Sequence, residues 1–151
     1  MPLPRPTRDA YRRLHPMTTR IADNDMYGHM NNVTYYEYFD SAVNWWLIEK
    51  VGLSLPNGDV IGIVADTQCS FMAEVKWPVD VEVGMRIDRI GRTSLVYGLA
   101  MFSKGEELAH AACRYVHVYV KNPERRPTPL PEKLVAEARA IAGAGCEDTL
   151  A

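Results

Sequence analysis

The spacing of apolar residues changes period once along this chain, and that change restricts the fold more than any other feature. Tyr36, Phe39, Val43, Trp46 and Leu47 recur at intervals of three and four, so they share one face of a helix. From Val60 onward the period is two. VIGIVADTQCSFMAEVKW, VEVGMRIDRIG, SLVYGLAMFS and LAHAACRYVHVYVKN read as four successive strands. They are joined at Pro78 and Asp80, at Gly91-Arg92 and at Lys104-Gly105-Glu106. Parallel neighbours need a crossover of about a dozen residues or more, so connections this short imply antiparallel pairing. Met17 to Ala22, MTTRIA, is read as a further strand ahead of the helix.

Helix boundaries follow from capping chemistry. Asn32 is a direct cap, Thr34 with Glu37 offers a capping box two residues later, and Gly52 suits the left-handed position after the last turn. About 18 residues at 1.5 Å each give a helix about 27 Å long, enough to cross several strands. The predicted fold class is α+β, a five-stranded antiparallel sheet wrapped around one long central helix. Residues 1–15, with Pro2, Pro4 and Pro6, are expected to be an extended N-terminal segment, and 16–135 the folded domain. EKLVAEARAIAGAG is weakly helical, so 136–151 is expected to be a C-terminal helix and flexible tail.

One helix covers one face of such a sheet, and strands this apolar need cover on both. A homodimer or homotetramer is therefore expected. With 17 Lys and Arg against 19 Asp and Glu, the formal net charge is -2, which gives no electrostatic basis for nucleic-acid or anionic-membrane partners. The three cysteines are odd in number and lack C-x-x-C spacing, which argues against a disulfide framework or a zinc site. There is no apolar leader at the start and no run of the roughly 18 apolar residues a spanning helix needs. A cytoplasmic location is the expectation.

The polar stretch RIADNDMYGHMNNVTYYEYFD, Arg20 to Asp40, runs directly into the helix. A carboxylate in a turn followed by a helix N-terminus can do acyl chemistry. The carboxylate serves as base or nucleophile, and unpaired backbone N–H groups carry partial positive charge toward a developing oxyanion. Each residue also has a plainer reading. Asp23 and Asp25 suit turns, Asn31 and Asn32 suit caps, and Gly28 suits a backbone conformation other residues resist. Tyr35 and Tyr36 read as packing, one of them against a bound acyl group, and Trp45 and Trp46 as core or interface residues.

The pattern Asp23-x-Asp25-x-x-Gly28-His29-x-Asn31-Asn32-x-x-Tyr35 resembles the D-x-D-x-x-G-H-x-N-N-x-x-Y motif of the 4-hydroxybenzoyl-CoA thioesterase family of hotdog-fold proteins. IGRTSLVYGLAMF and PTPLPEK are also similar to that family, so the likeness runs from about Met17 to Lys133. The resemblance implies a hotdog fold and hydrolysis of acyl-CoA, with no cofactor and no metal. It implies Asp25 as base or nucleophile and the backbone N–H near Asn32 as oxyanion donor, while Asp23 keeps its plainer reading as a structural acid holding the turn. Within the implied site His29 is a further catalytic candidate, and Gly28 and Tyr35 are substrate-binding candidates. Arg92 and Ser94 match the positions that contact the coenzyme at the turn into the next strand. Arg86, Arg89, Arg125 and Arg126 are further cations near those elements. Two alternatives stay open: a non-catalytic acyl-CoA-binding hotdog module, and a hotdog dehydratase or hydratase.

Overall fold

Asn31 begins the central helix, and the reason lies eight residues upstream. In the computed structural model, which describes residues 4–151, the Asn31 N–H donates to the Asp23 carbonyl at 3.0 Å. That bond holds Asn31 extended, and its side chain accepts from the Val33 N–H at 2.9 Å. The cap is thus Asn31 rather than Asn32, and the Thr34–Glu37 box does not form. Helix α1 spans Asn32–Trp46, and its last turn widens into a π turn over Leu47–Val51. Gly52 ends it at φ 81°, as the sequence predicts.

The strands are β1 (Arg13–Met17), β2 (Val60–Phe71), β3 (Val81–Ile90), β4 (Ser94–Ser103), β5 (Ala111–Lys121), β6 (Arg126–Pro127) and β7 (Ala142–Asp148). A second helix, α2 (Glu132–Ala140), precedes β7. The main sheet is antiparallel throughout, in the order β1-β3-β4-β5-β2. This is the hotdog architecture, a curled sheet around one long helix. Phe39, Val43, Trp46 and Leu47 pack onto Val83, Met85, Leu99 and Met101, and Trp46 meets Tyr97 edge-on at 5.9 Å.

Three boundaries differ from the sequence reading. The first strand is Arg13–Met17, not Met17–Ala22, because Asp23 accepts the Arg20 N–H at 2.8 Å and bends Ile21–Asp23 into a 3-10 turn. Within the segment expected to be extended, Arg8–Ala10 forms another 3-10 turn and Tyr11 packs on the outer face of the sheet. It lies against Phe102 over Gly84, where an added Cβ would sit 2.9 Å from the Tyr11 ring. The expected flexible tail is instead β7, parallel to β3. AGAGCED has no apolar alternation to announce a strand. Its place is fixed by a turn bond from the Ile87 N–H to the Ile141 carbonyl and by Arg139 gripping Asp148 at 2.7 Å.

A β-bulge between Val64 and Asp66 reverses the alternation of β2. Gly62 and Val64 face the helix side before it, and Thr67, Cys69 and Phe71 after it, as their pairing with β5 requires. Gly62 has a steric purpose, since a Cβ there would lie 2.6 Å from His117 Nδ1. His117 is 1% exposed, 3.2 Å from the Tyr119 hydroxyl, which is 2.6 Å from that of Tyr97. Burial pushes the His117 imidazole down to about 4, so it is neutral in the fold.

The unfolded chain, with an ordinary histidine near 6.5, binds that proton first. Stability is therefore fully present above about pH 6.5 and declines as pH falls toward 4, by on the order of 3 kcal/mol. Denaturant unfolding from pH 8 to pH 4 should show this decline. It should flatten over that window in His117→Gln, whatever that variant's absolute stability; an unchanged slope would remove His117 as the cause.

Candidate active site

Asp23 fixes the loop that carries the motif. It is 1% exposed, and its carboxylate accepts from the Arg20 N–H, from the Arg20 guanidinium at 2.9 Å and from the Tyr38 hydroxyl on α1. Burial alone would raise its pKa, but the bonds from Tyr38 and Arg20 outweigh it and hold Asp23 below the ordinary carboxylate range. Tyr38 is raised in turn by burial and by the Asp23 charge. Asp23 therefore joins the loop to the helix, with no oxygen directed at a substrate.

Beyond it the chain makes a tight reversal. Asn24 bridges to Met30, the Asp25 N–H donates to the His29 carbonyl at 3.0 Å, and the Gly28 N–H donates to the Asp25 carbonyl at 3.1 Å. Gly28 sits at φ 82°, in the left-handed region that a side chain disfavours. The loop is tied to the segment after β2 by the Met30 N–H to the Val75 carbonyl and the Trp77 N–H to the Asn24 side chain. Half-buried Asp25 accepts the Tyr27 N–H on Oδ1 at 2.8 Å, while Oδ2 lies 3.4 Å from Asn31 Nδ2. One oxygen is thus committed to the turn and the other only loosely engaged.

The first turn of α1 presents a free donor. Asn31 N–H is used by Asp23, Val33 N–H by the Asn31 side chain and Thr34 N–H by the Asn31 carbonyl. Among the described residues, the Asn32 N–H has no hydrogen-bond partner.

A cleft of about 240 Å³ lies against this turn, lined by His29, Asn32, Tyr35, Phe71 and Glu74 among others. His29 Nδ1 is 3.2 Å from the Met30 carbonyl, so Nδ1 carries the proton and donates. Its Nε2 is 3.8 Å from a Glu74 oxygen, whose partner oxygen is 3.6 Å from Lys76. Tyr35 meets Phe71 edge-on at 5.0 Å, and burial pushes its hydroxyl up to about 12, so it stays protonated. Phe71 and Glu74 escaped the sequence reading. They flank the end of β2, and only the bulge, which no residue pattern announces, turns Phe71 inward.

Of the expected site residues, His29, Asn32 and Tyr35 line the cleft, while Asp25 and Gly28 lie in the adjoining reversal and are not among its lining residues. Arg92 and Ser94 are at neither place. They lie at the β3–β4 turn, a full strand from the loop, and ten residues of β3 at about 3.3 Å each make that about 30 Å. Arg92 is exposed there, its carbonyl accepting the Leu130 N–H. Arg86 is engaged by Asp88 at 2.7 Å and by the Ala10 carbonyl, and Arg89 by Glu147 at 3.3 Å. Arg125 and Arg126 are exposed beyond β5, and Arg126 lines a surface hollow with Lys121.

The profile of a family described as the thioesterase-like superfamily matches residues 19–138. The PA5185 protein of Pseudomonas aeruginosa is 45% identical in a crystal structure that superposes with a TM-score of 0.91, over 93% of this chain and 99% of that one. A thioesterase from Thermus thermophilus, crystallised with coenzyme A and zinc, is 26% identical with a TM-score of 0.69, over 87% of this chain and 95% of that one. YsmA of Bacillus subtilis, an uncharacterised protein, is 28% identical over 97 residues, which span 64% of this chain and 63% of that protein's length.

Proposed function

This chain belongs to the thioesterase-like superfamily, and from that membership we propose that it hydrolyses acyl-CoA thioesters to a carboxylic acid and free coenzyme A. The observation that carries the reading is the unpartnered Asn32 N–H at the start of a helix whose first turn lines the cleft, with the Asp25 carboxylate in the adjoining reversal, 3.4 Å from the side chain of the neighbouring Asn31. It accords with a chemistry of the kind that the resemblance to 4-hydroxybenzoyl-CoA thioesterases implies.

In this reading the thioester carbonyl oxygen accepts from the Asn32 N–H, whose partial charge strengthens as the oxygen becomes anionic. Asp25 then acts in one of two ways. As base, it takes a proton from water as that water attacks the carbonyl carbon. As nucleophile, it attacks the carbon itself, and water later opens the resulting anhydride. Either route expels coenzyme A thiolate, which takes up a proton. Gly28 sets the turn that aims Asp25, His29 bounds the cleft, and Tyr35 with Phe71 forms an apolar wall for the acyl group.

Coenzyme A as substrate handle is supported by its presence with the Thermus thioesterase. Arg92 and Ser94, a strand's length from Asp25 in one chain, would serve that same substrate only from a second subunit. The free edge of β2 supports such an assembly, since Ile63 and Val64 are 36% and 42% exposed there. A homodimer or homotetramer with sites between subunits follows. Among the described residues no helix is long and apolar enough to cross a membrane, and a cytoplasmic enzyme is the setting this reading favours.

Thiol release across a panel of acyl-CoA substrates tests the activity directly. Asp25→Asn should lower kcat by about 10²-fold or more at an unchanged melting temperature, the scale of a lost acid–base group; near wild-type turnover would exclude Asp25. Light scattering at assay concentration should give at least twice the 17.0 kDa chain mass, and a fully active monomer would exclude the shared site. Arg92→Ala should raise KM for acyl-CoA several-fold with little change in kcat, and added salt should shrink the difference. Acyl-pantetheine lacks the nucleotide and should be turned over equally by both forms; equal impairment on both substrates would make Arg92 structural.

A further inference from the structure

Cys69 on β2 and Cys113 on β5 are partners in the antiparallel register, directly opposite each other. Both are free thiols. Residues so placed point to the same face, with Cα atoms about 4.5–5.5 Å apart. A disulfide requires a Cα separation of about 4.4–6.8 Å, so these strands already hold the spacing a bridge needs. The β2 bulge is what produces the match. Without the extra residue between Val64 and Asp66, the strand would turn Gln68 and Ser70 toward the helix and Cys69 away from it.

The two thiols are unequal. Cys113 is 4% exposed in the main core, and its pKa is driven up by the contact with Cys69 and by burial. Cys69 is half-buried at the rim of that core, and the contact with Cys113 pulls its thiol below the ordinary range against the effect of burial. Cys69 is thus the sulfur that a dissolved oxidant meets first, with the more deeply buried Cys113 directly behind it as the resolving partner. Cys146 lies on β7, against β3 rather than β2 or β5, and burial together with Asp148, Asp88 and Glu147 raises its thiol. It serves as an internal control.

We propose that Cys69 and Cys113 are an oxidisable dithiol that closes to an intrachain disulfide when a hydroperoxide reaches Cys69. The Cys69 thiolate attacks the terminal peroxide oxygen, the O–O bond breaks, and the product is a Cys69 sulfenic acid with water or an alcohol as leaving group. The Cys113 sulfur then attacks the Cys69 sulfur and displaces the hydroxyl, which leaves as water with the Cys113 proton. Two thiols lose two electrons and two protons, and the hydroperoxide is the oxidant that accepts them. The bridge joins β2 to β5 two residues before Phe71, on the face where that ring meets Tyr35. It is a site of modification separate from the hydrolysis proposed above, and a failure of that reading leaves it untouched.

Hydrogen peroxide added to the intact, folded chain at low molar excess provides the test. Thiol titration after denaturation should fall from three groups to one, and the intact mass should drop by two hydrogens. Peptide mapping should recover a Cys69–Cys113 link, the chain should stay single on a non-reducing gel, and dithiothreitol should restore all three thiols. Cys146→Ser should retain the link and Cys69→Ala should abolish it, leaving Cys113 unmodified. The proposal is overturned if all three thiols survive conditions that oxidise a small free thiol. It is equally overturned if the link involves Cys146 or a second chain, or if Cys69 gains oxygen without linking.

Discussion

The buried carboxylate of Asp23 is the interaction on which the candidate site depends. A charge this enclosed is tolerated only when its oxygens are filled, and here they are filled by groups from both sides of the loop, Arg20 before it and Tyr38 on α1. The same residue's carbonyl takes the Asn31 N–H and so fixes where the helix begins. One side chain and one carbonyl thus set the loop's path, the helix cap and the free Asn32 N–H together. The two aspartates of the motif divide the work: Asp23 is saturated and internal, while Asp25 remains half-buried with one oxygen loosely held.

That division explains why a polar stretch leads into an apolar helix. A helix N-terminus leaves N–H groups without intrahelical partners, and burying them unmatched is costly. The loop matches all but one of the early donors with its own Asp23 carbonyl, Asn31 side chain and Asn31 carbonyl. The unmatched donor opens beside a cleft instead of a packed core, where a ligand oxygen can complete it. Gly28 at φ 82° allows the reversal that brings Asp25 back toward the same turn.

Side-chain periodicity made much of the fold legible. The helix face was readable from Phe39, Val43, Trp46 and Leu47, all buried, and the limits of β4 coincide with SLVYGLAMFS because it is covered on both faces. Gly52 was readable because one residue type dominates that backbone position. What could not be read depends on backbone bonds and distant partners. β7 has no apolar alternation, β1 ends early because Asp23 captures the Arg20 N–H, and Asn31 outranks Asn32 as cap because of a carbonyl eight residues away. Of the motif residues, His29, Asn32 and Tyr35 line the cleft and Asp25 and Gly28 stand in the reversal beside it, whereas Phe71 reaches the cleft through a bulge that shifts parity without marking the sequence and Glu74 through the segment that follows β2.

The two ends of the helix are built differently, and this gives the molecule a direction. Toward its C-terminal end, Trp46 stands on Tyr97, and Tyr97, His117 and Tyr119 form a hydrogen-bonded layer almost wholly removed from solvent. Such a layer admits one arrangement, since any shift leaves a buried hydroxyl or imidazole unpaired, and Gly62 leaves room for no bulkier neighbour. Toward its N-terminal end the loop is held to the sheet side mainly by the Met30–Val75 backbone bond and the Asn24–Trp77 contact, with Met30 as the buried anchor. Few bonds cross there, so opening at that end disrupts less packing than at the other. Rigidity at the Tyr97 layer fixes the helix axis, and with it the direction of the Asn32 N–H. At the loop, Asp25 keeps one oxygen on the Tyr27 N–H and the other only loosely engaged by Asn31.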